Sequence, residues 1–168
     1  MEPIRWALME ASSLNIHQVS FTSSLANTAI DAAERELHVR YGPFAELPGL
    51  EASTFEPPTG VFLVATNSLG VVGGVGVRGI TPHIGEVKRL WVHDEARRQG
   101  VASSLMSAVE EASCDLGFSM LVLETGPLQP EAVSLYHSLG FDQVDELPVS
   151  VSTHHEAIRF TKELLPTT

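Results

Sequence analysis

The stretch from residue 86 to residue 123 combines a strand pattern, a helix pattern and a second strand pattern, and this order constrains the fold more than any other feature. Residues 86–92 have the length and apolar content of a strand. Residues 119–123 form a continuous apolar run, which is typical of a strand buried on both faces. Between them, residues 101–116 predict an amphipathic helix, because apolar side chains recur at helical spacing: Ala102, Leu105, Met106, Val109, Ala112 and Leu116. A strand, a crossover helix and a strand in one sheet run parallel, so the pattern predicts an α/β fold.

The sequence before this unit predicts one helix and several antiparallel strands. Residues 25–41 show the apolar periodicity of a helix. Residues 61–65 and 71–77 are short apolar runs separated by turn-forming residues, and they predict a hairpin. A further strand is expected near residues 18–21. Residues 43–58 are rich in proline and predict a long loop.

The sequence after the unit predicts a short helix and a last hairpin. Residues 131–139 have a helical pattern that ends at Gly140. Residues 149–152 and 158–161 are expected to pair as the final hairpin. The predicted class is therefore α/β, with a mixed central sheet flanked by helices. A chain of 168 residues predicts a single domain over residues 1–168.

Composition excludes several classes of protein. The one cysteine, Cys114, excludes a disulfide framework and a thiolate metal site. Ten basic and twenty-one acidic residues give a formal net charge of -11, which argues against nucleic-acid binding because such a surface repels phosphate backbones. Neither a signal-peptide pattern nor an apolar stretch of membrane-spanning length is present in the sequence. We therefore expect a cytoplasmic protein that does not associate with membranes.

Two segments contain closely spaced glycines or basic residues. Residues 74–79 (GVGVRG) match the glycine spacing of a dinucleotide-binding loop, but no helix pattern follows them. We exclude a nicotinamide cofactor and interpret this segment as a strand that another group approaches closely. Residues 97–102 (RRQGVA) instead lie between a predicted strand and a predicted helix. A helix N-terminus with unpaired N–H groups, a glycine and two arginines suits a pyrophosphate, and a charged loop with a glycine turn is the alternative.

Residues 97–102 resemble the acyl-CoA signature of the GNAT superfamily. The neighbouring segments extend this resemblance in the same order. Residues 86–93 resemble the strand before the signature, residues 121–125 resemble the strand after the helix, and residues 132–141 resemble the late helix with its Gly-Phe ending. The resemblance covers residues 61–141, about half of the chain, and implies a GNAT-like fold.

The resemblance implies acetyl-CoA as cosubstrate, no metal and no covalent enzyme intermediate. Backbone N–H groups of residues 98–103 would hold the pyrophosphate of CoA. Backbone groups of Leu90 and Val92 would pair with the pantetheine arm, where their strand diverges from the next. The residues implied in cofactor binding are Leu90, Trp91, Val92, Arg97, Arg98, Gln99, Gly100, Val101, Ala102 and Ser103.

Tyr136 is the candidate general acid. It matches the tyrosine of the family's late helix, and it lies four residues after Ala132 on the helix face expected to pack inward. Protonation of the leaving thiolate is the step that such an acid would assist. A core tyrosine with a satisfied hydroxyl is the alternative.

Glu86 is the candidate general base, acting directly or through a water. A carboxylate inside a strand next to the cofactor site is expected to have its pKa raised by burial. The alternative is a salt bridge with Lys88 or Arg89 on a solvated face of the sheet. His83 and Glu124 are the other candidate bases.

The resemblance implies an N-acetyltransferase that moves an acetyl group to a primary amine by direct attack in a ternary complex. An acyltransferase that uses a longer acyl-CoA and a non-catalytic acyl-CoA-binding sensor are the alternatives. The tyrosine argues against the sensor, because binding alone needs no acid. The acceptor stays open among antibiotics, polyamines, amino acids and protein amines, and the acidic loop at residues 43–58 favours a cationic one. A homodimer is also open, because many members of the superfamily dimerise.

Overall fold

The computed structural model describes residues 13–45, 47, 49–151 and 156–165, and these residues form a seven-stranded sheet with helices on both faces. In chain order the strands are β1 (Asn15–Val19), β2 (Gly60–Asn67), β3 (Gly70–Gly79), β4 (Ile84–Val92), β5 (Met120–Thr125), β6 (Asp142–Val144) and β7 (Ile158–Glu163). The α-helices are α1 (Ser24–Tyr41), α2 (Val101–Asp115) and α3 (Pro130–Ser138). None of these helices is long and apolar enough to cross a membrane.

The strands lie in the order β1-β2-β3-β4-β5-β7-β6. β4 and β5 run parallel and are joined by the crossover helix α2, as the strand–helix–strand pattern predicts. All other neighbouring strands run antiparallel. The prediction of a mixed sheet in an α/β fold is confirmed.

β4 and β5 are paired over only three positions, at the beginning of each strand. The last pair joins Glu86 to Val122, and beyond it the two strands separate. A bulge in β4 accompanies the separation, because the register with β3 shifts between Gly74 and Gly76, and Arg89 has a φ of 56°. Bulges bend a strand and redirect its side chains. The sheet therefore opens into a gap between β4 and β5.

Different helices cover the two faces of the sheet. The α1 face is covered by a cluster of Phe21, Ala26, Ala29, Ile30, Phe55, Phe62 and Val64. The α2 face has the larger core, which includes Leu63, Val75, Leu105, Met106, Val109, Leu121 and Phe160. Glycines in β3 permit this close packing, because a Cβ on Gly76 would lie 2.7 Å from the ring of Phe55, and one on Gly73 would lie 2.8 Å from Leu105. Residues 74–79 are thus a strand approached closely by other chain segments, as predicted.

The final hairpin differs from the prediction. β7 pairs with β6, whereas residues 149–151 are not a strand and Ser152 lies outside the described residues. The chain enters the sheet directly after α3 because Phe141 is buried in the core behind the turn at Gly140. The assignment of the first hairpin strand to residues 149–152 is therefore wrong.

The first strand also begins earlier than predicted. β1 starts at Asn15, and Phe21 has already left the sheet to stack on Phe55 with 4.8 Å between ring centroids. Ser23 caps the N-terminus of α1 by accepting a hydrogen bond from the N–H of Ala26. Within the described part of the 43–58 loop, residues Ala52–Phe55 form a short 3-10 helix.

Candidate active site

A cavity of about 650 Å³ lies where β4 and β5 separate. Its walls come from α1, the second half of β4, the loop before α2, the first turn of α2, the end of β5, and α3. Nine of the ten residues implied in cofactor binding line it, and the exception is Gln99, whose side chain donates to the carbonyl of Glu95. Five of the ten basic residues of this acidic chain line the same cavity: Arg40, Lys88, Arg89, Arg97 and Arg98. Such a concentration of cations favours anionic ligands.

The N-terminus of α2 forms one end of the cavity. Gly100 is the N-cap residue, has a φ of 79°, and offers no side chain to cap the helix. The N–H groups of Val101, Ala102 and Ser103 belong to the first turn, where an α-helix gives them no carbonyl partner. A Cβ on Gly100 would meet nothing within 4 Å, so the space on that side of the Gly100 backbone is open. This end of α2 can therefore hold an anion with backbone N–H groups and the helix dipole.

The two arginines before this helix have different surroundings. Arg98 is exposed and has a φ of 60°, which turns the chain toward Gly100. Arg97 is held inside the structure, because its Nη2 lies 2.6 Å from Glu36 Oε2 and its Nε donates to the carbonyl of Val92 at 3.1 Å. Arg97 therefore fixes the loop to α1 and to the end of β4, while Arg98 is the arginine that is free to follow a ligand.

The backbone of β4 lines the gap along its edge. His93 N–H donates to Val72 on β3 at 2.8 Å, and alternate residues of a strand direct their backbone groups to opposite edges. Trp91 therefore also faces β3, whereas Leu90 and Val92 face the gap. The carbonyl of Val92 is taken by Arg97. The N–H and carbonyl of Leu90 and the N–H of Val92 accordingly face the gap, where an extended ligand could meet them.

Tyr136 lines the cavity from the α2 face of the sheet. Its ring packs against Phe141 and Phe160, with centroid distances of 5.7 Å and 5.5 Å. Burial raises the pKa of the Tyr136 hydroxyl above its ordinary value. The hydroxyl therefore keeps its proton at neutral pH, so Tyr136 has an O–H available to donate a hydrogen bond or a proton.

Glu86 does not line the cavity. Its side chain is 1% exposed, and Oε2 lies 3.0 Å from both Nε and Nη2 of Arg78. The ammonium of Lys88 lies 3.0 Å from Oε1. The salt bridge with Lys88 that sequence reasoning offered as an alternative is present, but it is buried rather than solvated. His83 lies in the exposed turn between β3 and β4 and is likewise outside the cavity.

Glu124 is the carboxylate of the central strands that lines the cavity. It lies near the end of β5, opposite Arg159 of β7, whose Nε lies 3.3 Å from Oε1. Burial raises the pKa of the Glu124 carboxyl despite the opposing charges of Arg159 and Lys88. Glu124 and Glu86 share one sheet face, because Glu86 pairs with Val122 two residues before Glu124. Tyr136 and Glu124 thus reach the gap from opposite faces of the sheet.

The family assignment follows from comparison with known proteins. The sequence profile described as the acetyltransferase (GNAT) family matches residues 23–141, which is more than half of the chain. The chain belongs to the GNAT family. Mouse N-acetyltransferase 8 is 39% identical over 97 residues, which cover 55% of this chain and 43% of the mouse protein, so the match spans less than half of that relative.

Solved GNAT-like structures show the same fold over nearly the whole chain. An acetyltransferase from Streptococcus agalactiae has a TM-score of 0.75 at 16% identity and covers 91% of this chain and 99% of its own. The PaiA N-acetyltransferase of Thermoplasma acidophilum, solved in complex with coenzyme A, has a TM-score of 0.68 at 17% identity, with 90% and 99% coverage. At these identities the likeness establishes the fold alone.

A chain of ion pairs along the wall of this GNAT cavity was not predicted from the sequence. Glu36 of α1 binds both Arg97 and, at 3.0 Å, Arg40. Arg40 in turn pairs with Glu131 at the start of α3 and donates to the carbonyl of Leu128 at 2.9 Å. This chain of ion pairs joins α1 to the loop before α2 and to α3. Glu36 and Arg40 are four residues apart on one helix, so only their shared face was visible in the sequence.

Proposed function

We propose that this GNAT protein transfers an acetyl group from acetyl-CoA to a primary amine, by direct attack of the amine in a ternary complex. The observation that carries the proposal is the uncapped N-terminus of α2 at the end of the gap between β4 and β5. An anionic group at Gly100 and an extended arm beside Leu90 fit the two chemical parts of CoA, its pyrophosphate and its pantetheine. The coenzyme A complex of the Thermoplasma neighbour and the name of the mouse relative support the same ligand and reaction.

The first requirement of the reaction is a neutral amine. An alkylammonium has a pKa of about 10.4, so removal of its proton at pH 7 costs about 4.6 kcal/mol. Glu124 lies on the α1 side of the gap, and its raised pKa makes it a better proton acceptor than an ordinary glutamate. We assign the general base to Glu124. Glu86, the candidate base named from the sequence, remains a prediction. From its buried ion-pair cluster it could accept the amine's proton only through a water that reaches it.

The second requirement is stabilisation of charge at the thioester. In this proposal the N–H of Leu90, on the side of β4 that faces the gap, donates to the carbonyl oxygen as it becomes negative. Tyr136 donates from the other face toward the departing sulfur. A thiol has a pKa of about 8.5 and a tyrosine about 10, so complete transfer of the proton costs at least ~2 kcal/mol. Tyr136 therefore contributes mainly a hydrogen bond that strengthens as the carbon–sulfur bond breaks.

The reaction is tested by mixing the protein with acetyl-CoA and a panel of amines that includes amino acids, polyamines, aminoglycosides and peptides. Release of the CoA thiol that depends on the amine, with the acetylated amine identified by mass, supports the proposal. Longer acyl-CoA substrates are compared in the same assay, because chain length separates an acetyltransferase from a broader acyltransferase. CoA binding without turnover for any amine would favour the sensor instead.

A further inference from the structure

We propose that the acceptor is an amine that also carries a carboxylate, and that Lys88 is the residue that binds this carboxylate. The inference rests on the proposed acetyl transfer and narrows its substrate class. Four of the five basic residues that line the cavity form two pairs at its two ends, and the fifth, Arg40, pairs with Glu36 and Glu131. Arg97 and Arg98 lie at the pyrophosphate end, whereas Lys88 and Arg89 lie on β4 beside the gap. CoA has no anionic group for the second pair, because its phosphates belong at the α2 end.

The α1 face of the sheet beside the gap carries more positive than negative charge. Lys88 lies opposite Gly76, the glycine packed on Phe55, so its side chain is on the α1 face. In the ion pairs of this face beside the gap, the cations are Arg78, Lys88, Arg89 and Arg159, and their anionic partners are Glu34, Glu86 and Glu124. Four cations therefore share three carboxylates in a chain whose net charge is -11. The local excess of positive charge would be neutralised by one carboxylate of a ligand.

Lys88 is the member of this group best placed to meet a ligand. Lys88 and Arg89 line the cavity, whereas Arg78 and Arg159 do not. Of these two, the Lys88 side chain is the more exposed, at 13% against 6% for Arg89. Glu86 is already bound through one oxygen by both Nε and Nη2 of Arg78, so Lys88 is the second cation on a single buried carboxylate. An ammonium group has three donors, and the contact with Glu86 uses one direction only. A ligand carboxylate can thus bind Lys88 while Glu86 keeps its ion pair with Arg78.

The acidic loop does not supply a competing site among the described residues. Glu56 accepts from the hydroxyl of Ser20 and from the N–H of Phe21, both at 2.8 Å, and therefore ties the loop to the start of α1. Glu51 accepts from Ser53 within the loop. Neither side chain lines the cavity, and Glu46 lies outside the described residues. The charges that line the gap therefore favour a zwitterionic acceptor over a simple polycation.

Lys88 and Glu124 together match such a zwitterion. Both residues line the cavity, and the strand register places both on the α1 face of the sheet. An amine directed to Glu124 would place an adjacent carboxylate toward Lys88. An α-amino acid has this arrangement of charges.

The test compares each of several α-amino acids with its own α-amide as acceptor. The two compounds differ in the carboxylate. The amine of the amide is less basic, so more of it is neutral and reactive at pH 7, and this difference works against the expected preference for the acid. We expect the parent protein to favour the acid in kcat/KM by about 10- to 100-fold, the range of a charged hydrogen bond. Lys88→Met should abolish this preference through KM of the acceptor, whereas Lys88→Arg should retain most of it.

Controls separate this inference from loss of folding and from failure of acetyl transfer. Arg35→Met removes an exposed charge outside the cavity and should leave the preference unchanged. CoA affinity of Lys88→Met should stay near the parent value, and its thermal stability should fall by less than that of Glu86→Gln, because Glu86 keeps its ion pair with Arg78. Equal use of acids and amides by the parent, or a preference that survives in Lys88→Met, would overturn the inference. If no amine is acetylated, the proposed function fails. The inference is then tested by calorimetry, which compares the affinities of the amino acid and its amide for the CoA-saturated protein. Tighter binding of the acid that is lost in Lys88→Met supports the inference, and equal binding overturns it.

Discussion

Replacement of Gly100 by aspartate should weaken CoA binding through charge, and asparagine at the same position is the matched control. Gly100 has a φ of 79°, a region that L residues enter with strain but that aspartate and asparagine tolerate better than most. A Cβ there meets nothing within 4 Å, so either side chain fits. The two variants share the same size and the same strain. Any difference between them in CoA affinity therefore measures the negative charge alone.

The expected magnitude follows from Coulomb's law. Two unit charges 4 Å apart interact by about 4 kcal/mol at an effective dielectric of 20 and by about 1 kcal/mol in water. Gly100 is exposed, so an intermediate value of about 2 kcal/mol is appropriate. This corresponds to CoA affinity about 30-fold weaker for Gly100→Asp than for Gly100→Asn.

Titration calorimetry with CoA at low and high salt measures this difference. At 1 M ionic strength the Debye length is about 3 Å, so the difference in CoA affinity between the two variants should become smaller. Equal affinities of the aspartate and asparagine variants at low salt would show that the anion does not bind at the α2 N-terminus. A difference that is insensitive to salt would refute the electrostatic reasoning.

Three further substitutions test the catalytic assignments. Tyr136→Phe removes the hydroxyl and keeps the ring packed on Phe141 and Phe160. We therefore expect kcat to fall by about 10²-fold, with CoA affinity and thermal stability unchanged. If thermal stability falls and kcat does not, Tyr136 is a core tyrosine and not the acid. Glu124→Gln should remove the acidic limb of the pH–rate profile, because the parent rate rises with pH as Glu124, whose pKa is raised by burial, loses its proton; an unchanged limb would exclude Glu124 as the base. Glu86→Gln leaves two cations with a neutral partner, so denaturant unfolding should show a loss of about 3 kcal/mol and a pH–rate profile parallel to that of the parent. A selective loss of rate at neutral pH, recovered at high pH, would return the base to Glu86.

The sequence predicts best those elements whose apolar residues follow a regular pattern over many residues. The helical spacing of residues 101–116 and the apolar run at 119–123 determine the crossover unit, and both are present with small shifts of boundary. The loop before α2 was visible for the same reason, since its glycine directly precedes a strongly patterned helix. The final hairpin was misplaced because β6 is only three residues long, too short to show a strand pattern, and follows directly after the buried Phe141.

The carboxylates of the site could not be ranked from the sequence because of the bulge in β4. Strict alternation would put Lys88 and Arg89 on opposite faces, yet Lys88 contacts Glu86 and Arg89 contacts Glu34 of α1, so both lie on the α1 face. The sequence also does not show where β4 and β5 part, and that point decides which glutamate reaches the gap. Glu36 and Arg97 are 61 residues apart, and no local pattern indicates such a pair.

The most direct test of the account is a stoichiometric measurement of acetyl transfer with an accepted amine. The protein is mixed with acetyl-CoA and the amine, and free CoA thiol, acetylated amine and the intact mass of the protein are followed together. Direct attack within a ternary complex predicts one acetylated amine for each CoA released, no thiol release without the amine, and no acetyl group on the protein. Thiol release that precedes addition of the amine, together with a protein heavier by one acetyl group, would contradict direct transfer.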